Sequence, residues 1–170
     1  MKSMGYGNRT LAGSLLFLGS IVYFLGITAG GEKVLKSMDV INLSVVLWGV
    51  FMIAGAYFLQ RAFKSVLLSL LVAVSGICAF GVGLLVGDAY NAFAAVGYIT
   101  LGLAAIASFK FAKSPFSYFS VALGALSLIF IAIWAYSGLT TTSLLIDYSQ
   151  LLWVAGFGAH IIEKSEKAPS

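Results

Sequence analysis

Few side chains of this 170-residue chain could do chemistry, because 61% of its residues are hydrophobic and only 9% are charged. Acidic, amide and phenolic side chains nevertheless occur where long apolar runs begin or end. A carboxylate with neighbouring amide and hydroxyl groups offers suitable ligands for a cation or a polar solute. One hypothesis is therefore an outer polar vestibule, formed by Asp39, Asn42, Asp88, Asn91, Asp147, Tyr148 and Gln150. The alternative is that helix ends and short loops are polar without binding anything.

A second set of candidates is a basic motif that occurs twice. "RAFKS" at 61–65 and "KFAKS" at 110–114 each place a basic residue three positions before Lys-Ser. A serine at this position can cap the helix that follows, and Pro115 suits a first helical position. Free N–H groups at two helix starts, with cations beside them, can receive a phosphate. The motif predicts an anionic lipid headgroup site made of Arg61, Lys64, Ser65, Lys110, Lys113 and Ser114. The alternative is that these cations only orient the chain.

Metal, cofactor and nucleic-acid sites have little support in the sequence. His160 is the only histidine and Cys78 the only cysteine, whereas a catalytic zinc takes three protein ligands. We expect His160 at a partly hydrated interface and Cys78 as a small packed side chain. No glycine-rich loop separates a strand from a helix, so nucleotide binding is not expected. The basic residues are dispersed rather than gathered on one face, which disfavours nucleic acid. We expect no metal and no cofactor.

The elements that carry these residues are six long apolar runs. The mean hydropathy is +1.02, and soluble domains have about 25% charged residues. A helix that spans a bilayer needs about 20 apolar residues, and strands of a membrane barrel would alternate in polarity, which these runs do not. The sequence predicts an all-α, polytopic integral membrane protein, a single domain in which six transmembrane helices form a compact bundle: 10–29, 43–61, 65–86, 90–109, 115–136 and 145–162.

The distribution of basic residues predicts the orientation of the bundle. Lys and Arg are in excess in cytoplasmic loops. With the N-terminus inside, eight basic residues fall on the inner side and only Lys33 and Lys36 on the outer side. Both termini are therefore expected in the cytoplasm of a multi-pass plasma-membrane protein. A cleaved signal peptide is disfavoured, because the first run is about twice the usual apolar length.

Small residues predict how the helices pack. The third run carries them at four-residue spacing, which lets helix backbones approach closely in lipid: Ser75, Ala79, Gly83 and Gly87. Packing within the bundle is the simpler interpretation, and a seam for a partner helix or a second copy is the alternative. Trp48 and Trp153 are expected in the core. Residues 42–65 also align without a gap on residues 91–114, so the chain has a possible two-helix pseudo-repeat.

The stretch "KSPFSYFSVALGALSL" resembles a family of six-helix prokaryotic membrane proteins known as domain of unknown function 998. Two further stretches resemble it as well, "INLSVVLWGVFMIAGAYFL" at 41–59 and "YSQLLWVAGFGAHI" at 148–161. With the first helix included, the resemblance covers nearly the whole chain. It implies a six-helix architecture and no activity.

The leading functional interpretation is a non-enzymatic bundle that acts through contacts with membrane lipids or a protein partner. The second is a carrier or channel for a small solute or cation, built on the outer vestibule. A lipid-modifying enzyme is third, because candidate nucleophiles have no base paired with them. No charged residue lies near the middle of a run, which argues against a proton relay or a voltage sensor.

Overall fold

The computed structural model describes residues 3–31, 38–138 and 140–166, and side-chain surroundings for 7–28, 40–138 and 142–165. Over these residues the fold is all-helical, which confirms the predicted six-helix bundle. A short 3₁₀ turn at Ser108–Lys110 follows the fourth helix. The helices are α1 (Ser3–Gly31), α2 (Met38–Phe63), α3 (Val66–Val82), α4 (Asp88–Ala107), α5 (Phe116–Ser137) and α6 (Thr140–Glu166).

The six helices form a closed ring. Each helix packs against the next one along the chain, α6 packs against α1, and α4 also touches α6 across the ring. Helices joined by short turns run in opposite directions, so the ring has two distinct ends. We call the end where α4 begins the Asp88 end, and the end where α5 begins the Lys113 end. The ends of α1 and α6 that are nearest to the chain termini lie at the Lys113 end.

Apolar side chains occupy both the centre and the outside of the ring. Trp153, Phe157 and Met52 are almost completely buried, whereas Leu25 and Leu70 on the outside are 58% and 57% exposed. A soluble protein rarely exposes such extensive apolar surface, and lipid is the environment that suits it. The burial of Trp48 and Trp153 confirms the prediction that they lie in the core.

In the part of the chain that the structure describes, four helices are long and apolar enough to cross a membrane: Gly7–Thr28, Val40–Phe63, Asp88–Lys110 and Phe116–Ser137. This is the character of a membrane protein. The apolar helix α3 is shorter, with 17 residues, or about 25 Å at 1.5 Å per residue. The sixth predicted span corresponds to α6, which carries the polar residues of the site described below.

The end of α3 differs from the prediction. The sequence predicts a helix to Val86, but α3 ends at Val82 and Gly83–Gly87 form the turn before α4. Gly87 has φ = 70°, and a Cβ placed there would have no neighbour within 4 Å. Gly87 is therefore a turn residue with a backbone conformation that favours glycine. Its predicted place in a packing seam is wrong.

The other small residues of α3 do lie at helix contacts. Ser75 and Ala79 are buried. A Cβ on Gly83 would lie 2.7 Å from the carbonyl oxygen of Asn42 on α2. Near the middle of the contact between α2 and α3, a Cβ on Gly49 would lie 2.6 Å from the carbonyl oxygen of Gly76. The α2–α3 contact therefore depends on glycine at several levels.

Candidate functional site

Several buried serines in the described part of the bundle are satisfied within their own helix. The hydroxyl of Ser20 donates to the carbonyl of Leu16 at 2.8 Å, and Ser149 donates to Leu145 at 2.7 Å, as serine commonly does within helices. In the described part of the chain, five buried polar atoms have no hydrogen-bond partner: Trp48 Nε1, Gln60 Oε1, Ser69 Oγ, Ser120 Oγ and Asp147 Oδ1. The carboxylate of Asp147 is the only ionisable group among them.

Asp147 is the eighth residue of α6, about 10 Å along the helix axis from its first residue. The hydroxyls of Tyr23 on α1 and Tyr98 on α4 face its carboxylate as hydrogen-bond donors. Oδ1 itself is buried and lacks a partner with full hydrogen-bond geometry, although the residue as a whole keeps some exposed surface. Three helices of the ring thus meet at one carboxylate, with more bonding capacity than the protein uses.

Aromatic stacking holds the two tyrosines in place. The Tyr23 ring lies parallel to Trp48 on α2, with centroids 4.4 Å apart and an interplanar angle of 1°. The Tyr98 ring meets Trp134 on α5 edge-on at 6.2 Å. Stacked and edge-on aromatic pairs contribute beyond their buried area. The hydroxyls that face Asp147 are therefore positioned by rings anchored on two further helices.

Gln150 lies below Asp147 on the same face of α6, because residues three apart share a helix face. Its Nε2 donates to the carbonyl oxygen of Tyr98 at 2.7 Å and to Ser127 Oγ at 2.8 Å. Gln150 is only 3% exposed. This amide links α6 to α4 and α5 and fixes the backbone at Tyr98.

A small cavity adjoins this polar centre. It has a volume of about 30 Å³, and its lining includes Tyr23, Trp48, Ser75, Tyr98 and Gln150. A polar cavity of more than about 15 Å³ can hold a water molecule. Trp48 Nε1, which has no protein acceptor, belongs to this lining. The cavity therefore has room for one water molecule next to Tyr23, Tyr98 and Gln150, whereas Asp147 itself is not part of its lining.

The residues of the predicted outer vestibule differ in exposure and do not all face the same way. Asp88 and Asn91 are exposed on α4, and Tyr148 is 41% exposed. Asn42 is half-buried beside α3, and the side chain of Asp39 lies outside the described residues. Asp147 and Gln150 instead face the inside of the ring. Successive residues of a helix point in directions about 100° apart, so Tyr148 cannot share the face of its neighbour.

Sequence reasoning missed the partners of Asp147. Tyr23 and Tyr98 were not candidates, and Trp48 was expected only to fill space. A signal was present, since tyrosine well inside an apolar run has a hydroxyl that needs a partner when buried. The sequence does not reveal which polar group that partner is.

At the Lys113 end, the two basic turns differ from each other. Ser65 caps α3 as predicted, because its hydroxyl accepts from the N–H of Leu68 at 3.4 Å. Ser114 does not cap α5, and its prediction is wrong. α5 begins at Phe116, so the N-cap is Pro115, which has no side-chain acceptor. The two-helix pseudo-repeat is therefore not equivalent at its final serine.

The six residues of the predicted headgroup site do not share one groove. Lys64, Ser65 and Lys110 line one groove of about 350 Å³ between the two turns. Lys113 lines a different groove, which faces α6, and Ser114 lines the groove next to it. The guanidinium of Arg61 lies 4.6 Å from the Tyr57 ring centroid on the outside of α2. A single groove with all six members is thus wrong, because Lys64 and Lys110 line the groove between the turns whereas Lys113 lines the grooves beside α6.

Among the described side chains, no three His, Cys, Asp or Glu residues come together to hold a metal ion. His160 is half-buried, stacks on Phe116 at 5.0 Å and accepts from the backbone N–H of Lys113 at 3.4 Å. Its ring is thus engaged in packing and in a hydrogen bond. At Asp147, a cation would therefore have a single carboxylate as its only charged ligand among the described residues.

No family model, no curated protein and no solved structure matches this chain. The resemblance to the domain of unknown function 998 family therefore stays a prediction. The chemistry of the site rests on its geometry.

Proposed function

We propose that this protein is a multi-pass carrier that binds a proton or a small monovalent cation at Asp147 and moves it across the membrane. The observation that supports this most is a carboxylate oxygen, buried among three helices, without a hydrogen-bond partner. An ionisable group inside a membrane bundle is a functional hypothesis by default. Here the group also has the hydroxyls of Tyr23 and Tyr98 facing it, and both tyrosines line a water-sized cavity.

The energetics of burial support a bound cation. An unpaired charge in a low-dielectric interior has a penalty of several kcal/mol. The hydroxyls of Tyr23 and Tyr98 offset this penalty only in part, and we propose that a proton or a metal cation offsets the rest. In both cases the closed bundle holds a cation, and hydration of Asp147 releases it. Reversible loading of this kind is the elementary step of a cation carrier.

We further propose that the cation enters from the outside of the plasma membrane. Asp147 is closer to the Asp88 end than to the Lys113 end, and Tyr90, which is 40% exposed, is near enough to Asp147 to interact with it electrostatically. The excess of basic residues near the Lys113 end supports a cytoplasmic location for that end and for both termini.

The test is cation flux in proteoliposomes. A pH-sensitive dye trapped inside reports proton entry, and radioactive sodium reports metal-ion entry. Wild-type protein should give flux by one of these two measurements. Asp147→Asn keeps the size of the side chain and removes its charge, so flux should fall at least tenfold. Asp88→Asn is the matched control, because it removes an exposed carboxylate at the same end and should keep the wild-type rate. No flux above empty liposomes, or equal rates in the two variants, would refute the carrier function.

A non-enzymatic bundle that acts through lipid contacts is the second candidate. It is supported by a different observation, the basic grooves at the Lys113 end. Native mass spectrometry of protein released from mild detergent tests it, since the wild-type protein should retain bound lipid in preference to detergent. Release without any lipid would exclude this candidate.

A further inference from the structure

Two grooves at the Lys113 end lie beside α6 and include Lys113 of the second basic motif. One has a volume of about 450 Å³ and is lined by Arg9, Lys113, His160, Glu163 and Lys164. A second, of about 680 Å³, adjoins it and shares Lys113, His160 and Glu163. Ligand sites commonly have volumes of about 300 to 1,000 Å³. Three separate parts of the chain supply cations here: α1, the turn before α5, and α6.

We propose that the groove of about 450 Å³ is a binding site for a phosphate group. The phosphate is carried either by an anionic lipid headgroup or by a soluble phosphorylated molecule. The basic side chains are Arg9, Lys113 and Lys164, and Glu163 is the only acidic residue in the lining. Arginine and lysine together suit a phosphate, because a guanidinium can bind two of its oxygens and an ammonium adds a point charge. The start of α5, which is the positive end of its dipole, lines the adjoining groove through Pro115 and Phe116.

Contacts within the protein hold the cations at the groove. Lys164 Nζ donates to the carbonyl oxygen of Phe111 at 3.1 Å. The Arg9 guanidinium lies 5.3 Å from the Phe63 ring centroid on α2. The backbone N–H of Lys113 donates to His160 Nε2, which fixes the turn that carries the lysine. Much of the entropy needed to order these side chains is therefore lost on folding rather than on binding.

The electrostatics agree with an anion site. Lys164 lies beyond the apolar part of α6, and burial together with the positive charges of Lys113 and Arg9 lowers its pKa from the ordinary value. Like charges close enough to affect one another repel, and a bound phosphate relieves that repulsion. A phosphate also bridges α1, α5 and α6, so it should stabilise the closure of the ring between α6 and α1.

The experiment compares two double variants of equal charge. Lys113→Gln with Lys164→Gln removes two cations of this groove. Lys64→Gln with Lys110→Gln removes the two cations of the neighbouring groove at the same end of the bundle. The wild-type protein and both variants are purified in mild detergent, reconstituted in nanodiscs of phosphatidylcholine with or without phosphatidylglycerol, and examined by native mass spectrometry and thermal denaturation. Inorganic phosphate is titrated separately onto the detergent-solubilised proteins.

We expect the groove variant to lose retained anionic lipid, or stabilisation by inorganic phosphate, by about tenfold in apparent affinity relative to the control variant. Loss of lipid retention identifies a headgroup as the source of the phosphate, and loss of the phosphate response alone identifies a soluble ligand. Equal loss in both variants would indicate diffuse charge and refute the site. The site would also be refuted if only the Lys64 and Lys110 variant lost affinity, or if the wild-type protein responded to neither lipid nor phosphate. Arg9→Lys is a further check if the double variant unfolds, because it keeps the charge but removes bidentate binding.

Discussion

Gly13 on α1 and Gly158 on α6 pack backbone to backbone where the ring closes. A Cβ on Gly13 would lie 2.6 Å from the carbonyl oxygen of Gly158, and a Cβ on Gly158 would lie 2.7 Å from the carbonyl oxygen of Gly13. Neither atom can move aside as a flexible side chain could. The contact between the first and last helices therefore requires glycine at both positions, consistent with the role of small residues in membrane helix packing.

Replacement of Gly158 by alanine should destabilise the protein by about 1 to 3 kcal/mol, the usual range for overpacking. The midpoint of thermal denaturation in detergent should fall clearly. Gly7→Ala on α1 is the control, since a Cβ there would meet nothing within 4 Å and alanine favours helix over glycine. Equal melting temperatures for Gly158→Ala and wild type would contradict the close contact.

Ser65 and Ser114 provide a second comparison, because they are equivalent in sequence and different in structure. Ser65→Ala removes the hydroxyl that accepts from Leu68, and loss of an N-cap costs about 0.5 to 2 kcal/mol. Ser114→Ala removes an exposed hydroxyl at a position that caps no helix. Denaturation should show a loss of stability for Ser65→Ala and little change for Ser114→Ala. A similar loss in both would mean that Ser114 also caps its helix.

The helices themselves could be predicted because bilayer length and hydrophobicity limit them strongly. Each predicted run overlaps one observed helix. The ends were less certain, as α3 shows, since residues 84–86 are as apolar as the helix before them. Where α3 ends depends on the turn at Gly87 and on the approach of α2 to Gly83. Neither feature is visible in hydropathy.

The candidate site could be predicted only in part. Asp147 was recognised as a polar candidate, but its surroundings depend on which helices meet in the ring. Tyr23 and Tyr98 lie far from it in sequence, on α1 and α4, and only the closure of α6 against both brings them together. The alternative interpretation of the sequence was that Asp147 is a polar residue near a helix end that binds nothing. The amino-acid sequence alone does not show that a carboxylate near the start of a helix faces the inside of the bundle.

The hydroxyl groups of the tyrosines around Asp147 should tune its affinity for the cation, whereas their rings support the fold. Tyr98→Phe keeps the ring against Trp134 and removes one donor that faces the carboxylate. We expect a severalfold change in the cation concentration that gives half-maximal flux, with thermal stability near that of wild type. Tyr136→Phe is the control, because Tyr136 is 96% exposed. If the cation dependence of Tyr98→Phe were unchanged, or if Tyr136→Phe had an equal effect, the Tyr98 hydroxyl would have no specific role in cation binding.

Orientation in the membrane is the last prediction, and exposed positions at the two ends of the bundle test it. In a Cys78→Ala background, Tyr136→Cys places a thiol near the Asp88 end and Ser114→Cys places one at the Lys113 end, and both positions are exposed. Because cations at the Lys113 end should hold that end in the cytoplasm, a membrane-impermeant maleimide added to intact cells should label Tyr136→Cys. Ser114→Cys should react only after the membrane is permeabilised, which also controls for its accessibility. The reverse pattern would invert the bundle and place Asp147 nearer to the cytoplasm, and labelling of both thiols in intact cells would contradict a fixed orientation.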